Sequence, residues 1–281
     1  MDAIIAIHSV KRLDKLALMA ENLVPRPAAT VLTLRDAPNG YEILMLRRNV
    51  RSEFMAGVFV FPGGAVDNED ASAPVYGLND DVASQRLGLE RGGLAFYVAS
   101  LRELFEEAGL LIVCDDEGRE FRFTTPEELV RLASYRRALN AGEVTLADVL
   151  GREDVCLDLR GVAYLAHWIT PVGPPRRYDT RFFVVLAPEG QPATHDANET
   201  VAERWMRPAD ALAAQQRGEF DMVPPTIKNL EAIAHFSTSR EVLDFARALG
   251  PVTAIEPRLL ERDGAIVIVI PGDEGFDTAP A

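Results

Sequence analysis

Cysteine is almost missing from this 281-residue chain, which has only Cys114 and Cys156. Two cysteines cannot build a disulfide scaffold, and their spacing is not that of a zinc knuckle, so reduced thiols are expected. Long apolar runs are missing too. None approaches the ~20 residues needed to cross a bilayer, and no membrane is expected as a partner. Asp2 stands where a secretory leader is basic, and the apolar run 3–7 stops at His8, so no signal peptide is expected. The final Thr-Ala-Pro-Ala also differs from a Ser-Lys-Leu address. These absences together predict a cytoplasmic location. Positive charge is in short supply: 29 Lys and Arg against 43 Asp and Glu give a net charge of −14 and a pI near 4.8. Binding to nucleic acid through many phosphate contacts is thereby disfavoured. A small phosphate-bearing substrate is not, because a metal cluster and a few arginines can reverse the potential inside a cleft.

What is present is the composition of a globular protein, 48% hydrophobic and 26% charged. Runs 30–34 and 42–47 read as strands around Ala37-Pro38-Asn39-Gly40, a hairpin signal, and 58–61 reads as a third strand stopped by Pro62-Gly63-Gly64. Asn79, acids behind it and Gly88 delimit a short helix. Apolar residues at 94, 97, 98, 101, 104, 105 and 108 make a helical stripe. A strand is expected at 110–114, helices at 125–140 and 145–150, and strands at 162–170, 181–186 and 201–206. Further helices are expected at 208–216, 224–236 and 239–249, then a strand pair at 253–257 and 265–270 around Asp263-Gly264. Strands and helices are mixed without regular alternation. Residues 1–281 read as one domain: a core at 27–236, an inserted helical segment at 70–93 and a C-terminal extension at 237–281. A homodimer is compatible with that organisation.

The most informative stretch is Arg102-Glu103-Leu104-Phe105-Glu106-Glu107-Ala108-Gly109-Leu110. On a helix Glu103, Glu106 and Glu107 share one face. Three carboxylates so close repel one another, and a hard divalent ion such as Mg²⁺ or Mn²⁺ removes the conflict by taking their oxygens as ligands. Gly109 is suited to end the helix in the left-handed conformation. Taken alone, the segment also suits a solvated acidic helix face.

Together with Phe61-Pro62-Gly63-Gly64, this segment resembles the Nudix box, G-x5-E-x7-R-E-U-x-E-E-x-G-U. The second half matches from Arg102 to Leu110, and the first half departs. The isolated glutamate falls at position 70, which is Asp70, with Glu69 beside it. The Arg-Glu pair expected at 78 and 79 stands at 102 and 103, an insertion of 24 residues. Such an interruption resembles the peroxisomal-type coenzyme A diphosphatases and their bacterial relatives. The resemblance implies an α/β fold, an α/β/α sandwich around a mixed sheet. It also implies that Glu106 and Glu107 are metal ligands, that Glu103 is a ligand or the base acting on water, and that the Gly64 carbonyl approaches the metal. Arg102 then pairs with Asp70, Glu69 or neither.

Two further segments are candidates. In several Nudix enzymes a loop glutamate near this point adds a carboxylate, which here is Glu199, with Glu203 in reserve. Arg176, Arg177 and Arg181 follow a Pro-rich turn and suit a phosphate clamp; pairing with Asp179 and neighbouring acids is the structural alternative. The expected activity is Mg²⁺- or Mn²⁺-dependent hydrolysis of a nucleoside diphosphate derivative, foremost coenzyme A or an acyl-coenzyme A. ADP-ribose or a dinucleotide is the alternative substrate, and a non-catalytic ligand-binding module is the alternative role.

Overall fold

The computed structural model describes residues 23–49, 57–196, 200–262 and 264–280. The elements run in the order β1 (Arg26–Ala37), β2 (Gly40–Arg48), β3 (Phe59–Val60), β4 (Gly63–Ala65), β5 (Val75–Tyr76), α1 (Asp80–Leu87), α2 (Gly93–Ala108), β6 (Val113–Cys114) and β7 (Glu120–Phe121). They continue with α3 (Pro126–Asn140), α4 (Leu146–Glu153), β8 (Cys156–Asp158), β9 (Ala163–Ile169), β10 (Tyr178–Leu186), β11 (Thr200–Met206), α5 (Pro208–Gln216), α6 (Pro224–Ile233) and α7 (Ser239–Ala248). The last are β12 (Ala254–Ile255), β13 (Arg258–Arg262) and β14 (Ala265–Val269).

The main sheet has the order β11-β2-β1-β10-β9-β12. β1 is its axis. One edge pairs in parallel with β10, from Arg26↔Tyr178 to Leu34↔Leu186. The other edge is shared, with β2 along 34–37 and β4 along 28–30, and this sets the Gly63-Gly64 turn against the middle of the sheet. Strand alternation builds two cores, because successive side chains leave opposite faces. Ala29, Val31, Leu44, Leu46, Phe183 and Val185 pack towards α2. Leu32, Leu34, Ile43, Met45, Phe182 and Val184 pack towards α5, α6 and α7. The result is the expected three-layer α/β/α sandwich around a mixed sheet.

Helix ends follow local signals closely. Asn79 Oδ1 accepts from Val82 N, and Gly88 closes α1 at φ 68°. Thr125 and Glu128 form a reciprocal capping box at the start of α3. Helix α2 is buried almost all round rather than along one stripe, because α1 covers the side turned away from the sheet.

Some expectations need correction. The strand at 110–114 is only Val113–Cys114, part of a second sheet, β5-β8-β6-β7, made of two- and three-residue strands. The helix at 224–236 stops at Ile233. Ala265–Val269 pairs with Arg258–Arg262, not with 253–257, whose Ala254–Ile255 instead adds to β9. Among the described residues no helix is long and apolar enough to cross a membrane.

Candidate active site

The glycine turn and α2 meet edge-on. A methyl group at Gly64 would stand 2.4 Å from Glu103 Oε1, and one at Gly63 2.4 Å from Thr30 Oγ1. Gly63 is required for space, because the Ala29 carbonyl and Thr30 Cα also crowd that position at 2.6 and 2.7 Å, whereas at Gly64 the obstruction is the movable end of the Glu103 side chain. The Gly63 N–H donates to Glu107 Oε2 at 3.1 Å. Glu107 is only 5% exposed, so it is a buried carboxylate and not a solvent-facing one. Glu103 and Glu106 lie beside it on the same helix face, both partly buried.

Arg102 organises this group. Its Nε donates to Asp70 Oδ1 at 2.8 Å and its Nη2 to Asp70 Oδ2 at 3.1 Å, while Nη2 also reaches the Ala65 carbonyl at 2.8 Å. Nη1 is shared by Glu103 Oε1 at 2.9 Å and Glu106 Oε2 at 3.1 Å. Asp70, not Glu69, is therefore the partner. It is 2% exposed and also accepts from Asp67 N at 2.7 Å, which closes a short 3-10 turn at Asn68–Ser72. That turn carries the backbone inward and brings the shorter aspartate to the guanidinium. Burial works against the charge on Arg102, but the hydrogen bond to Asp70 and the charges of Glu103, Asp70 and Glu106 outweigh it and hold the guanidinium firmly protonated. Burial raises Glu106 above the usual carboxylate range; Arg102 pulls it back down, and Asp70 and Asp67 push it up.

Fit to a divalent ion rests on the donors. Three hard carboxylates sit against a turn with no side chains, and Glu106 is raised chiefly by burial, so its charged form gains from a cation. Among the described residues they are not already arranged as a three-ligand cage, and Arg102 is the cation that Glu103 and Glu106 share. The chemistry of the set suits Mg²⁺ or Mn²⁺, with Glu103, Glu106, Glu107 and the Gly64 carbonyl as the residues able to hold it.

A family profile described as the NUDT19 Nudix domain matches residues 89–233, just over half of the chain. The chain belongs to the Nudix family. It is 28% identical over 305 residues to a chicken (Gallus gallus) protein named acyl-coenzyme A diphosphatase NUDT19, covering 91% of this chain and 80% of that one. The human protein of the same name is 27% identical over 285 residues, covering 89% of this chain and 76% of that one. A solved NUDIX hydrolase from Alicyclobacillus acidocaldarius is 32% identical, covers 82% of this chain and all of that one, and superposes with a TM-score of 0.63. The α/β layers are thus a Nudix fold, and the chain is a Nudix pyrophosphohydrolase.

Other candidate residues of this Nudix chain lie in different settings. Arg177 is 6% exposed and holds the Thr170 carbonyl at 3.0 Å, the Leu23 carbonyl at 2.8 Å and the Glu256 carboxylate. It fastens the first and last parts of the sheet together. Arg181, 4% exposed, pairs with Asp179, reaches His167 Nε2 at 2.8 Å and lies over the Phe96 ring. For these two the structural alternative, internal pairing, is the arrangement found, and only Arg176 is exposed. Glu199 falls outside the described residues. Glu203 accepts from His195 N at 3.1 Å and pairs with the His195 ring, which is half-buried.

Sequence reasoning missed two features. Arg136, from α3, is buried beside the end of α2, where Nε donates to the Glu106 carbonyl and Nη1 to the Thr194 carbonyl, each at 2.8 Å. Burial lowers its pKa, and the charges of Asp196, Glu107 and Glu203 oppose that shift. The second feature is the start of α2. Asp80 accepts from Gly92 N and Leu94 N, both at 2.9 Å, and Ser84 Oγ from Gly93 N at 2.8 Å. Helix α1 of the insertion therefore caps the helix that carries the carboxylates. Asp80 in the first turn of α1 was a visible signal, but its partners lie 12 and 14 residues away.

Proposed function

We propose that this Nudix chain hydrolyses the diphosphate of coenzyme A or of an acyl-coenzyme A, releasing the phosphopantetheine half and adenosine 3′,5′-bisphosphate. Mg²⁺ or Mn²⁺ is the proposed cofactor, held by Glu103, Glu106, Glu107 and the Gly64 carbonyl. The observation that carries the reaction class is the gathering of these three carboxylates against the side-chain-free Gly63-Gly64 turn, braced by Arg102 and Asp70. The choice of substrate leans on the names of the chicken and human relatives.

When bound, the ion neutralises diphosphate charge and lowers the pKa of water. Glu103, beside Gly64, takes the proton as the water oxygen attacks phosphorus and the bridging P–O bond breaks. Glu107 fixes the turn through Gly63 N. Arg102 positions Glu103 and Glu106 without touching substrate. Arg176 and Glu199 remain candidates for contacts with substrate and cation. A cytoplasmic location fits the two free thiols facing each other at 3.9 Å across β6 and β8.

Assaying coenzyme A, ADP-ribose, NADH, diadenosine polyphosphates and nucleoside triphosphates with Mg²⁺ tests the proposal. The highest kcat/KM is expected for coenzyme A or its acyl form. A clear lead for ADP-ribose would reassign the substrate, and no hydrolysis of any of them with either ion would favour a ligand-binding module.

A further inference from the structure

A cavity of about 530 Å³, lined by none of the clustered carboxylates, lies where the insertion meets α7. Its floor is Tyr97 of α2 with Tyr164 of β9. One wall is the end of α1 with Arg86, and the other is the end of α7 with Arg247. Arg160 completes the rim. The volume is that of a small-molecule site. In a chain with net charge −14, three arginines and no carboxylate line it.

The floor is unusual. Tyr164 is 8% exposed and its hydroxyl has no hydrogen-bond partner among the described residues, while the fully buried Tyr97 hydroxyl faces Arg86. Buried hydroxyls are normally satisfied, and an orphan is costly to the free protein. Burial pushes the Tyr164 hydroxyl up to about 12 and raises that of Tyr97 as well, so both remain donors at neutral pH. The arginines have partial structural explanations. Arg160 pairs with Asp158. Arg247 donates to the Arg160 carbonyl and lies 3.6 Å from Asp244. Arg86 and Arg247 also occupy last helical turns, where cations offset backbone carbonyls. That leaves the Tyr164 hydroxyl unaccounted for, and Arg86, which faces the Tyr97 hydroxyl, pairs with no carboxylate among the described residues.

We propose that this cavity binds the phosphate of a nucleotide-sized organic anion, with Arg86 and the Tyr97 and Tyr164 hydroxyls as donors and the apolar wall of Leu87, Val162 and Val252 against the ligand body. Charge-assisted bonds from arginine and neutral bonds from the hydroxyls are the pair of contacts a phosphate monoester accepts. Along α2, Tyr97 precedes Glu103 by six residues, a rise of about 9 Å. The cavity can therefore serve either the far end of a long substrate or a separate nucleotide.

Calorimetric titration of the full chain with adenosine 3′,5′-bisphosphate, and with adenosine as the phosphate-free control, in metal-free buffer containing chelator, tests the site. The bisphosphate is expected to bind at least ~10-fold more tightly than adenosine. Arg86→Ala should weaken it ~10-fold and Tyr97→Phe severalfold, while Arg217→Ala, at an exposed Glu219 pair, leaves it unchanged. Tyr164→Phe should weaken binding severalfold and keep or raise the Tm, since it deletes an unsatisfied group; a merely structural hydroxyl would give a lower Tm and unaltered binding, which overturns the proposal. No bisphosphate binding by the wild type, or equal affinity in the Arg86→Ala/Tyr97→Phe double variant, overturns it too. Binding is read without turnover, so it stands or falls separately from coenzyme A hydrolysis. Inhibition of that hydrolysis by the bisphosphate then identifies the source: competitive inhibition lost in Arg86→Ala marks a substrate end, and non-competitive inhibition marks a separate nucleotide.

Discussion

At the scale of single residues, the site depends on charges that are buried together. Asp70 and Arg102 are both nearly inaccessible and satisfy each other through two hydrogen bonds. Removing one partner strands the other, which typically costs about 3–5 kcal/mol. Arg102→Ala should therefore lose about that much in urea unfolding. The Asp70→Asn/Arg102→Met double variant should lose less than the two single changes combined, because the cycle removes the stranded charge. Strict additivity would show the pair to be uncoupled. Glu107→Gln keeps size but removes a charge and can turn a donor towards Gly63 N, which already donates to that position. Turnover of coenzyme A with Mg²⁺ is expected to fall ~10²-fold or more, equivalent to about 3 kcal/mol of barrier. Because Glu107 is buried, a loss of stability of about 1 kcal/mol from the broken backbone contact should accompany it. Near-normal kcat would remove Glu107 from the proposed cation site.

At the scale of elements, the insertion is bound up with the helix it interrupts. Gly92 and Gly93 at the start of α2 offer no capping side chain of their own, and Asp80 and Ser84 of α1 supply the acceptors. Hydrogen bonds from Leu94 and Gly92 hold the Asp80 carboxyl below the usual range. A depressed carboxyl contributes stability that is present above its unfolded value near ~3.9 and is lost as pH falls through the lower folded value. Asp80→Asn should thus destabilise by about 1 kcal/mol at pH 7, the size of a lost cap. The difference from wild type in denaturant titrations should shrink as the medium is acidified below ~4. A gap that persists in acid would mean that the charge is irrelevant to the cap. The same contacts alter what shortening the insertion does: replacing 71–91 by a Gly/Ser linker uncaps the helix that carries the carboxylates and should lower Tm as well as change KM. What could be read in advance follows this division between local and distant partners. The caps at Asn79, Thr125, Thr145 and Thr238 and the apolar rows of α2 are encoded within a few residues. The β1–β10 pairing spans about 150 positions, and the second sheet uses strands too short for any alternation to show. Arginines at 177 and 181 suit a phosphate clamp in the sequence, where Asp179 is the one acid between them, and their burial depends also on Glu256, Thr170 and His167, which the fold brings to meet them.

At the scale of the whole molecule, excess negative charge and the buried carboxylate cluster link folding to cation and proton binding. Glu106 has a pKa raised mainly by burial. A raised carboxyl contributes stability that is fully present below its unfolded value near ~4.3 and is lost as pH rises through the folded value. The metal-free protein should accordingly give up stability as pH rises above the ordinary carboxylate range. A divalent ion binding only the folded state offsets that loss. At a concentration 100-fold above its dissociation constant it adds about 2.7 kcal/mol, which for a chain of this length raises Tm by about 4–5 °C. Because the ion and the proton compete for the same carboxylates, the rise should be full at pH 7.5 and shrink as pH falls towards the Glu106 value. Thermal unfolding with Mg²⁺ or Mn²⁺ against chelator, across pH 4.5–8, measures it directly. Glu106→Gln should reduce the metal-induced rise at pH 7.5 and flatten its pH dependence, since the competing proton is gone. A Tm indifferent to both ions at pH 7.5, or a rise that grows on acidification, would separate the carboxylate cluster from divalent-cation binding and make Arg102 a sufficient counter-charge for Glu103 and Glu106.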